Sequence, residues 1–331
     1  MTDSIRCYMA ERGDDGNVSG TLTKISAEDL PLGDVEIAVA YSSLNYKDAL
    51  AATGHPGVAR KLPHVPGIDA AGTVLQSSHS RFVSGQPVIV TGYELGAGHW
   101  GGWSERIRVP AEWVVPLPDS MTLRTAMIYG TAGFTAAQCV RELIRNEVSP
   151  DCGDVVVTGA TGGVGCLAVA ILSKLGYRVT ASTGKIDASD WLRDLGAVAV
   201  VGRDDILNDP KRPLSSVRFQ GGVDTVGGET LASVLRSVDV NGCVAACGLV
   251  GGVDLPTTVY PFILRGVRLA GITSSLCPMN QRLDIWNKLS SDWAIENIEE
   301  LATEISLDEL PVHVETILAG KTQGRVLVSV S

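Results

Sequence analysis

Eleven residues, Val155-Val156-Val157-Thr158-Gly159-Ala160-Thr161-Gly162-Gly163-Val164-Gly165, have the types and spacing to hold a phosphate. Three β-branched residues in a row suit a strand buried on both faces. Glycines follow at once. An apolar helical pattern then runs from Val164 through Leu167, Val169, Ile171, Leu172 and Leu175, with Gly176 placed to stop it. A strand, a glycine turn and a helix let backbone approach a pyrophosphate, and the helix start offers unpaired N–H groups at its positive end. Gly162 and Gly165 fill the second and third glycine positions of G-x-G-x-x-G, while Ala160 stands in the first. The next strand, Tyr177-Arg178-Val179-Thr180-Ala181-Ser182, ends in Thr183-Gly184-Lys185. An NAD-binding protein places an acid roughly 20 residues beyond the glycines, on the ribose 2′-hydroxyl. Here Ser182, Thr183 and Lys185 supply two hydroxyls and an ammonium instead, which suits a 2′-phosphate and predicts NADPH over NADH. The competing reading makes Lys185 an ordinary solvated lysine.

A chain of 331 residues suggests two domains, each able to bury its own core. Hydrophobic residues at 45% and charged residues at 19% describe a globular protein. No run of 18 apolar residues occurs, so no membrane span is expected. The start, Met1-Thr2-Asp3-Ser4, has no basic region leading into an apolar core, so no secretory signal is read and a cytoplasmic location is expected. A net charge of −10 argues against nucleic acid or an anionic membrane as partner, since both need a basic face. The seven cysteines are scattered without C-x-x-C and read as reduced thiols. The five histidines have no H-E-x-x-H or cysteine partner, so no metal site is expected.

Residues 1–125 have all-β character, with strands read at Val35–Tyr41, Gly72–Leu75, Pro87–Thr91 and Gly102–Val109. Gly and Pro punctuate them as in a small barrel. Two polar segments between them, Ser42–Asp48 and Pro66–Gly72, read as irregular. From about Thr125 a helical pattern runs to Ile144, broken around Gly130 and Gly133. Strands and helices then alternate through about six parallel strands, ending at Val267–Ile272, which means a doubly wound α/β sheet. The tail, residues 274–331, carries helices around Trp286 and Ile298. It ends in a strand, Arg325–Val330, expected to return to the first domain. The expected domains are therefore 1–125, 126–273 and the returning 274–331.

The chain resembles the medium-chain dehydrogenase/reductase superfamily, in which a GroES-like, partly open β-barrel catalytic domain is interrupted by a Rossmann domain. The motifs that carry the resemblance span nearly the whole chain: Ser43-Leu44-Asn45-Tyr46-Lys47-Asp48, Val65-Pro66-Gly67-Ile68-Asp69, Gly130-Thr131-Ala132-Gly133, the turn at 159–165, Cys243-Val244-Ala245-Ala246-Cys247-Gly248-Leu249, Pro261-Phe262-Ile263-Leu264-Arg265 and Gln323-Gly324-Arg325. More narrowly it resembles the zinc-free YhdH/YhfP-type quinone oxidoreductase branch, whose characterised members are acrylyl-CoA reductases using NADPH. Zinc alcohol dehydrogenases of the superfamily carry a cysteine where Asn45 or Tyr46 falls and a His-Glu pair where Ile68-Asp69 falls. A catalytic zinc needs three protein ligands, and only Asp69 of these could serve. The four-cysteine structural zinc lobe is missing too. Without a Lewis acid, an alkoxide has no obvious stabiliser, whereas reducing an activated C=C bond needs only a donor or two for the enolate oxygen.

The resemblance implies a catalytic group of Tyr46, Asn45 and Asp69 beside the nicotinamide. Tyr46 would donate to a thioester oxygen or hold the nicotinamide ribose, and Asp69 would orient these groups or Lys47. The plainer reading makes Asn45 and Asp69 loop caps. The resemblance also places Thr161, Gly162, Gly163 and Val164 on the pyrophosphate and Thr183, Gly184, Lys185 and Arg203 around the 2′-phosphate. Leu249, Ile263 and Ser274 would line the nicotinamide and its ribose. The basic pairs Arg60-Lys61 and Arg265/Arg268 are candidates for an acyl-CoA's phosphates, although such pairs are more often solvated. A homodimer follows from the resemblance alone. The expected activity is NADPH-dependent reduction of acryloyl-CoA to propanoyl-CoA. The alternatives are quinone or enone reduction, and nucleotide binding without catalysis.

Overall fold

The computed structural model describes residues 4–330. Residues 1–3, where the leader reading begins, and Ser331 lie outside the described residues. The chain divides into two units: Met1–Thr131, Ser275–Ser290 and Glu296–Ser331 form one, Ala132–Ser274 and Ser291–Ile295 the other.

The first unit opens with a two-stranded hairpin, β1 (Ser4–Arg12) and β2 (Val18–Ser26), paired antiparallel. Neither strand is conspicuous in the sequence. β2 is half-exposed throughout, so it has no continuous apolar run to announce it. Then come β3 (Val35–Leu44), helix α1 (Tyr46–Ala52), β4 (Asp69–Ser77), β5 (Pro87–Thr91), β6 (Arg106–Val109) and β7 (Val114–Pro116). The segment expected to be irregular at 42–48 is regular. Ser42–Leu44 extend β3 and α1 begins at Tyr46. Val35, Ile37 and Val39 on β3 point inward with Val88, Val90, Trp103 and Ile107, all 3% exposed or less. Helix α2 (Leu123–Arg145) contains one non-helical residue, Gly130, at φ 49° and ψ −155°.

The second unit holds β8 (Val155–Thr158), α3 (Gly163–Lys174), β9 (Val179–Thr183), α4 (Ser189–Asp194), β10 (Ala197–Gly202), β11 (Phe219–Asp224), α5 (Gly228–Ser237), β12 (Val238–Ala246), α6 (Tyr260–Arg265) and β13 (Arg268–Gly271). Its sheet has the order β10-β9-β8-β11-β12-β13, with every pair parallel. Counted along the chain this is 3-2-1-4-5-6, the doubly wound dinucleotide order, whose ligand crevice lies where the order reverses, between β8 and β11. Val155, Val156 and Val157 are wholly buried, as a central parallel strand requires.

The tail continues with α7 (Met279–Leu289), β14 (Ala302–Ser306), α8 (Leu310–Leu318) and β15 (Arg325–Ser329). β15 pairs antiparallel with β3, Val326 opposite Leu44, so the last strand joins the sheet β14-β15-β3-β4-β5-β7 of the first unit. The expected helix at Ile298 is a single four-residue 3₁₀ turn. The division between units falls at 131/132 rather than 125/126. Residues up to Thr131 are tied into the first unit, because Gly130 lies against Asp69 and Arg325.

Candidate active site

In the second unit the glycine turn follows β8. Gly159 has φ +61°, and a Cβ there would strike Thr225. Gly162 donates its N–H to Gly159 O at 2.9 Å, and Gly162 caps α3. Gly165 lies against Gly159 O and 2.8 Å from Ala160 Cα, measured from an added Cβ, so the helix start packs on the turn only without a side chain. The first N–H groups of α3, at Gly163 and Val164, have no acceptor within the helix. Thr161 and Thr183 are buried, and their hydroxyls share a 3.0 Å hydrogen bond across the ends of β8 and β9. Thr183 Oγ1 also accepts the Lys185 N–H at 3.0 Å. Arg203 is exposed, with Nη2 3.2 Å from where a Gly184 side chain would begin. Burial pulls the Lys185 ammonium down from its ordinary pKa, against Asp187. The end of β9 therefore sets the Thr183 hydroxyl, the Arg203 guanidinium and the bare Gly184 backbone together, with Lys185 next in the chain, residue types matched to a phosphate.

A cleft of about 360 Å³ opens at the C-terminal ends of β12 and β13, lined by Cys247, Gly248, Leu249, Ile272 and Thr273 among others. Leu249 belongs to it. Ser274 follows Thr273, and Ile263 lies on α6, 68% exposed and outside the lining. Of the basic pairs, Arg60 and Lys61 are exposed, whereas Arg265 donates to the carbonyls of Arg236, Val238 and Ser215 and serves the fold.

In the first unit two of the three candidate catalytic residues, Asn45 and Asp69, are hydrogen-bonded to each other, and Tyr46 follows Asn45 in the chain. Asp69 opens β4, is fully buried, and has both oxygens engaged. Oδ2 accepts from Ser43 Oγ (2.5 Å), Asn45 Nδ2 (2.8 Å) and Thr131 N (2.9 Å). Oδ1 accepts from Thr131 Oγ1 (2.6 Å). Asn45 Nδ2 also reaches Asp48 Oδ2 at 3.0 Å, and Asn45 Oδ1 accepts from Arg325 Nη1 at 3.2 Å. Asp48, fully buried on α1, takes the Asn45 N–H at 2.8 Å and the Ile68 N–H at 2.7 Å. Tyr46, first residue of α1, stands 44% exposed beside this cluster in sequence, with Lys47 half-buried after it. Ser43, Asp48, Gly130, Thr131 and Arg325 carry no role in the sequence reading. Their only signal there is that each falls inside a segment carrying the resemblance, except that Gly130 also marks a break in the helical pattern.

Burial, and next the Asp69 charge, push the Asp48 carboxyl up to about 7. Its ordinary value in an unfolded chain is 3.8. A raised folded value means the native state binds this proton more tightly, so the group's stabilising contribution is complete below about pH 4 and is lost as pH rises through 7. Asp48→Asn cannot titrate. Whatever constant offset it brings, the stability of the natural protein relative to Asp48→Asn is expected to fall by a few kcal/mol between pH 4 and 8. Urea unfolding at a series of pH values measures it, and a difference that is flat or rises with pH refutes it.

Over 316 residues the chain is 46% identical to the acrylyl-CoA reductase AcuI of Ruegeria pomeroyi, covering 96% of each. The chain belongs to the medium-chain dehydrogenase/reductase superfamily. Two models of that superfamily match, the alcohol dehydrogenase GroES-like domain at residues 31–119 and the zinc-binding dehydrogenase at residues 163–288. The first unit is thus the GroES-like domain and the second the Rossmann domain of this superfamily. The YhdH oxidoreductase of Salmonella enterica, solved with NADP, superimposes with a TM-score of 0.96 at 46% identity, over 98% of this chain and 100% of that one. YhfP of Bacillus subtilis, solved with NAD bound, gives 0.96 at 48%, over 99% and 100%. Many dehydrogenases of the superfamily hold zinc, but the residues here do not fit one. Among the described residues no three His, Cys, Asp or Glu side chains converge. Asp69, in addition, already spends its lone pairs on Ser43, Asn45 and Thr131.

Proposed function

We propose that this dehydrogenase/reductase uses NADPH to reduce the activated C=C bond of a short acyl-CoA thioester, acryloyl-CoA to propanoyl-CoA. NADPH would supply a hydride to the β-carbon and leave as NADP⁺, and a proton from solvent would complete the α-carbon of propanoyl-CoA. The Thr183–Lys185 corner and Arg203 hold the 2′-phosphate, Thr161 to Val164 receive the pyrophosphate, and Leu249 and Ser274 border the nicotinamide end. Tyr46 donates its phenolic hydrogen bond to the thioester oxygen as negative charge gathers there. Asn45 and Asp69 hold the start of α1 in place. The observation that carries this reading is the contrast at the cluster: Asp69 and Asp48 are buried and hydrogen-bonded, while the Tyr46 phenol beside them in the chain is exposed. Near-full-length identity to an acrylyl-CoA reductase supports the substrate class.

Steady-state rates with NADPH across acryloyl-CoA, crotonyl-CoA, free acrylate and a simple quinone test the proposal. Acryloyl-CoA is expected to lead, and a strong preference for the quinone would turn the assignment to quinone reduction. Tyr46→Phe is expected to lower kcat on acryloyl-CoA by about tenfold or more, the scale of one lost oxyanion donor. An unchanged kcat refutes that role. The edge strand β13 exposes Leu269, and α6 before it in the chain exposes Ile263 and Leu264, which supports a homodimer built on β13. Sedimentation velocity at micromolar concentration decides that, and a monomer rejects it.

A further inference from the structure

The Asn45 side chain is held from both ends. Its carbonyl oxygen faces a guanidinium, which can only donate, and its NH₂ donates to Asp69 Oδ2 and Asp48 Oδ2, oxygens that also accept from Ser43 Oγ and from the Asn45 backbone N–H respectively. The amide therefore has one orientation, and the bond from the Arg325 guanidinium is charge-assisted. Arg325 is 3% exposed and comes from β15, 280 residues from Asn45. Its Nε donates to Ile128 O at 2.8 Å, in the turn of α2 just before the Gly130 break. Its Nη2 lies 3.1 Å from where a Gly130 side chain would begin. One planar fork thus spans two acceptors on two elements, and the amide it grips passes the constraint to the starts of α1 and β4.

We propose that Arg325 is a positioning residue for the reduction. Acting through the Asn45 amide, it fixes the first residue of α1, Tyr46, at the point where the phenol meets the substrate oxygen. This rests on the role given to Tyr46 above. A guanidinium is needed because a lysine ammonium, a point charge on a flexible stem, cannot satisfy the Asn45 and Ile128 oxygens in the same fixed plane. A donor displaced by about 1 Å costs on the order of 100-fold in rate, so a small slackening of the grip is visible in turnover.

The test compares Arg325→Lys, Asn45→Ser and the double variant with the natural enzyme. Far-UV circular dichroism establishes folding, and NADPH affinity is read by fluorescence titration. Arg325→Lys is expected to reduce kcat on acryloyl-CoA by about 10- to 100-fold. NADPH affinity stays within about twofold, because the nucleotide-holding side chains belong to the other unit. Because Arg325 acts through Asn45, the double variant is expected to fall no lower than the worse single variant, within about threefold. Arg325→Lys with natural kcat overturns the proposal. So does a double variant whose loss is the product of the single losses, since the two residues then act independently. If Arg325→Lys fails to fold, Asn45→Ser alone carries the test, and natural kcat in that folded variant overturns the proposal. Failure of the underlying reading looks different: the natural enzyme itself would turn over no enone, or Tyr46→Phe would keep full activity.

Discussion

One methyl group added at Gly130 is expected to lower the unfolding free energy by about 3 kcal/mol or more and to remove activity. Two independent costs add there. The backbone, at φ 49° and ψ −155°, lies in a region that residues with a Cβ scarcely enter. The new Cβ would also lie 2.6 Å from Asp69 Oδ2, 3.0 Å from Ser43 Oγ and 3.1 Å from Arg325 Nη2. None of these is the loose end of a surface side chain: Asp69 and Ser43 are wholly buried and Arg325 is 3% exposed. Relief would have to come from breaking the bonds that organise the site. Gly320→Ala separates the two costs. Gly320 has φ +69° with nothing within 4 Å of an added Cβ, so it carries backbone strain alone, about 1 kcal/mol. Denaturant unfolding of the two variants side by side measures the gap. A Gly130→Ala protein within 1 kcal/mol of Gly320→Ala refutes the collision.

Removing both cations at the end of β9, in Lys185→Ala/Arg203→Ser, is expected to weaken NADPH binding by about 100-fold. NADH binding is expected to stay within about threefold. A charge-assisted hydrogen bond contributes about 1.5–3 kcal/mol, and two would predict more than 100-fold. Arg203 is exposed and Lys185 only half-buried, so solvent screening brings the expectation to the lower end. Gly184 is exposed under the Arg203 guanidinium, and Thr183 is already bonded to Thr161 and to the Lys185 N–H. The hydroxyl therefore remains as a common platform for either nucleotide, while the cations discriminate. The relative solved with NAD bound makes the ratio of the two dissociation constants the informative quantity. Fluorescence titration with both nucleotides reads it, and equal losses for the two would reject a 2′-phosphate contact.

Local chemistry made much of this protein legible in its sequence. Three valines before a glycine turn, and a helix pattern after it, specify β8, the turn and α3, because each signal is complete within about twenty residues. The end of β9, with no acid and with Thr183 and Lys185 in place, is equally local. The alternation of strand and helix from Val155 onward specifies a parallel doubly wound sheet, since each parallel pair needs a crossover.

The buried polar cluster around Asp69 was not legible in the same way. It draws Ser43 from β3, Asn45 and Asp48 from the start of α1, Asp69 from β4, Thr131 from the break in α2 and Arg325 from the last strand. No periodicity reaches across 280 residues, and a polar residue in a turn reads the same whether it caps a loop or meets a buried partner. What the amino-acid order determined by itself was the alternating strands and helices from β8 onward and the glycine turn between β8 and α3, because these rest on neighbours in the chain. Only the tertiary structure decided that Asp69 is saturated, that Asn45 can point one way, and that Tyr46 is left exposed. Hydrogen-bond satisfaction and burial belong to groups brought together by folding, and nothing along the chain records which partners a buried oxygen will find.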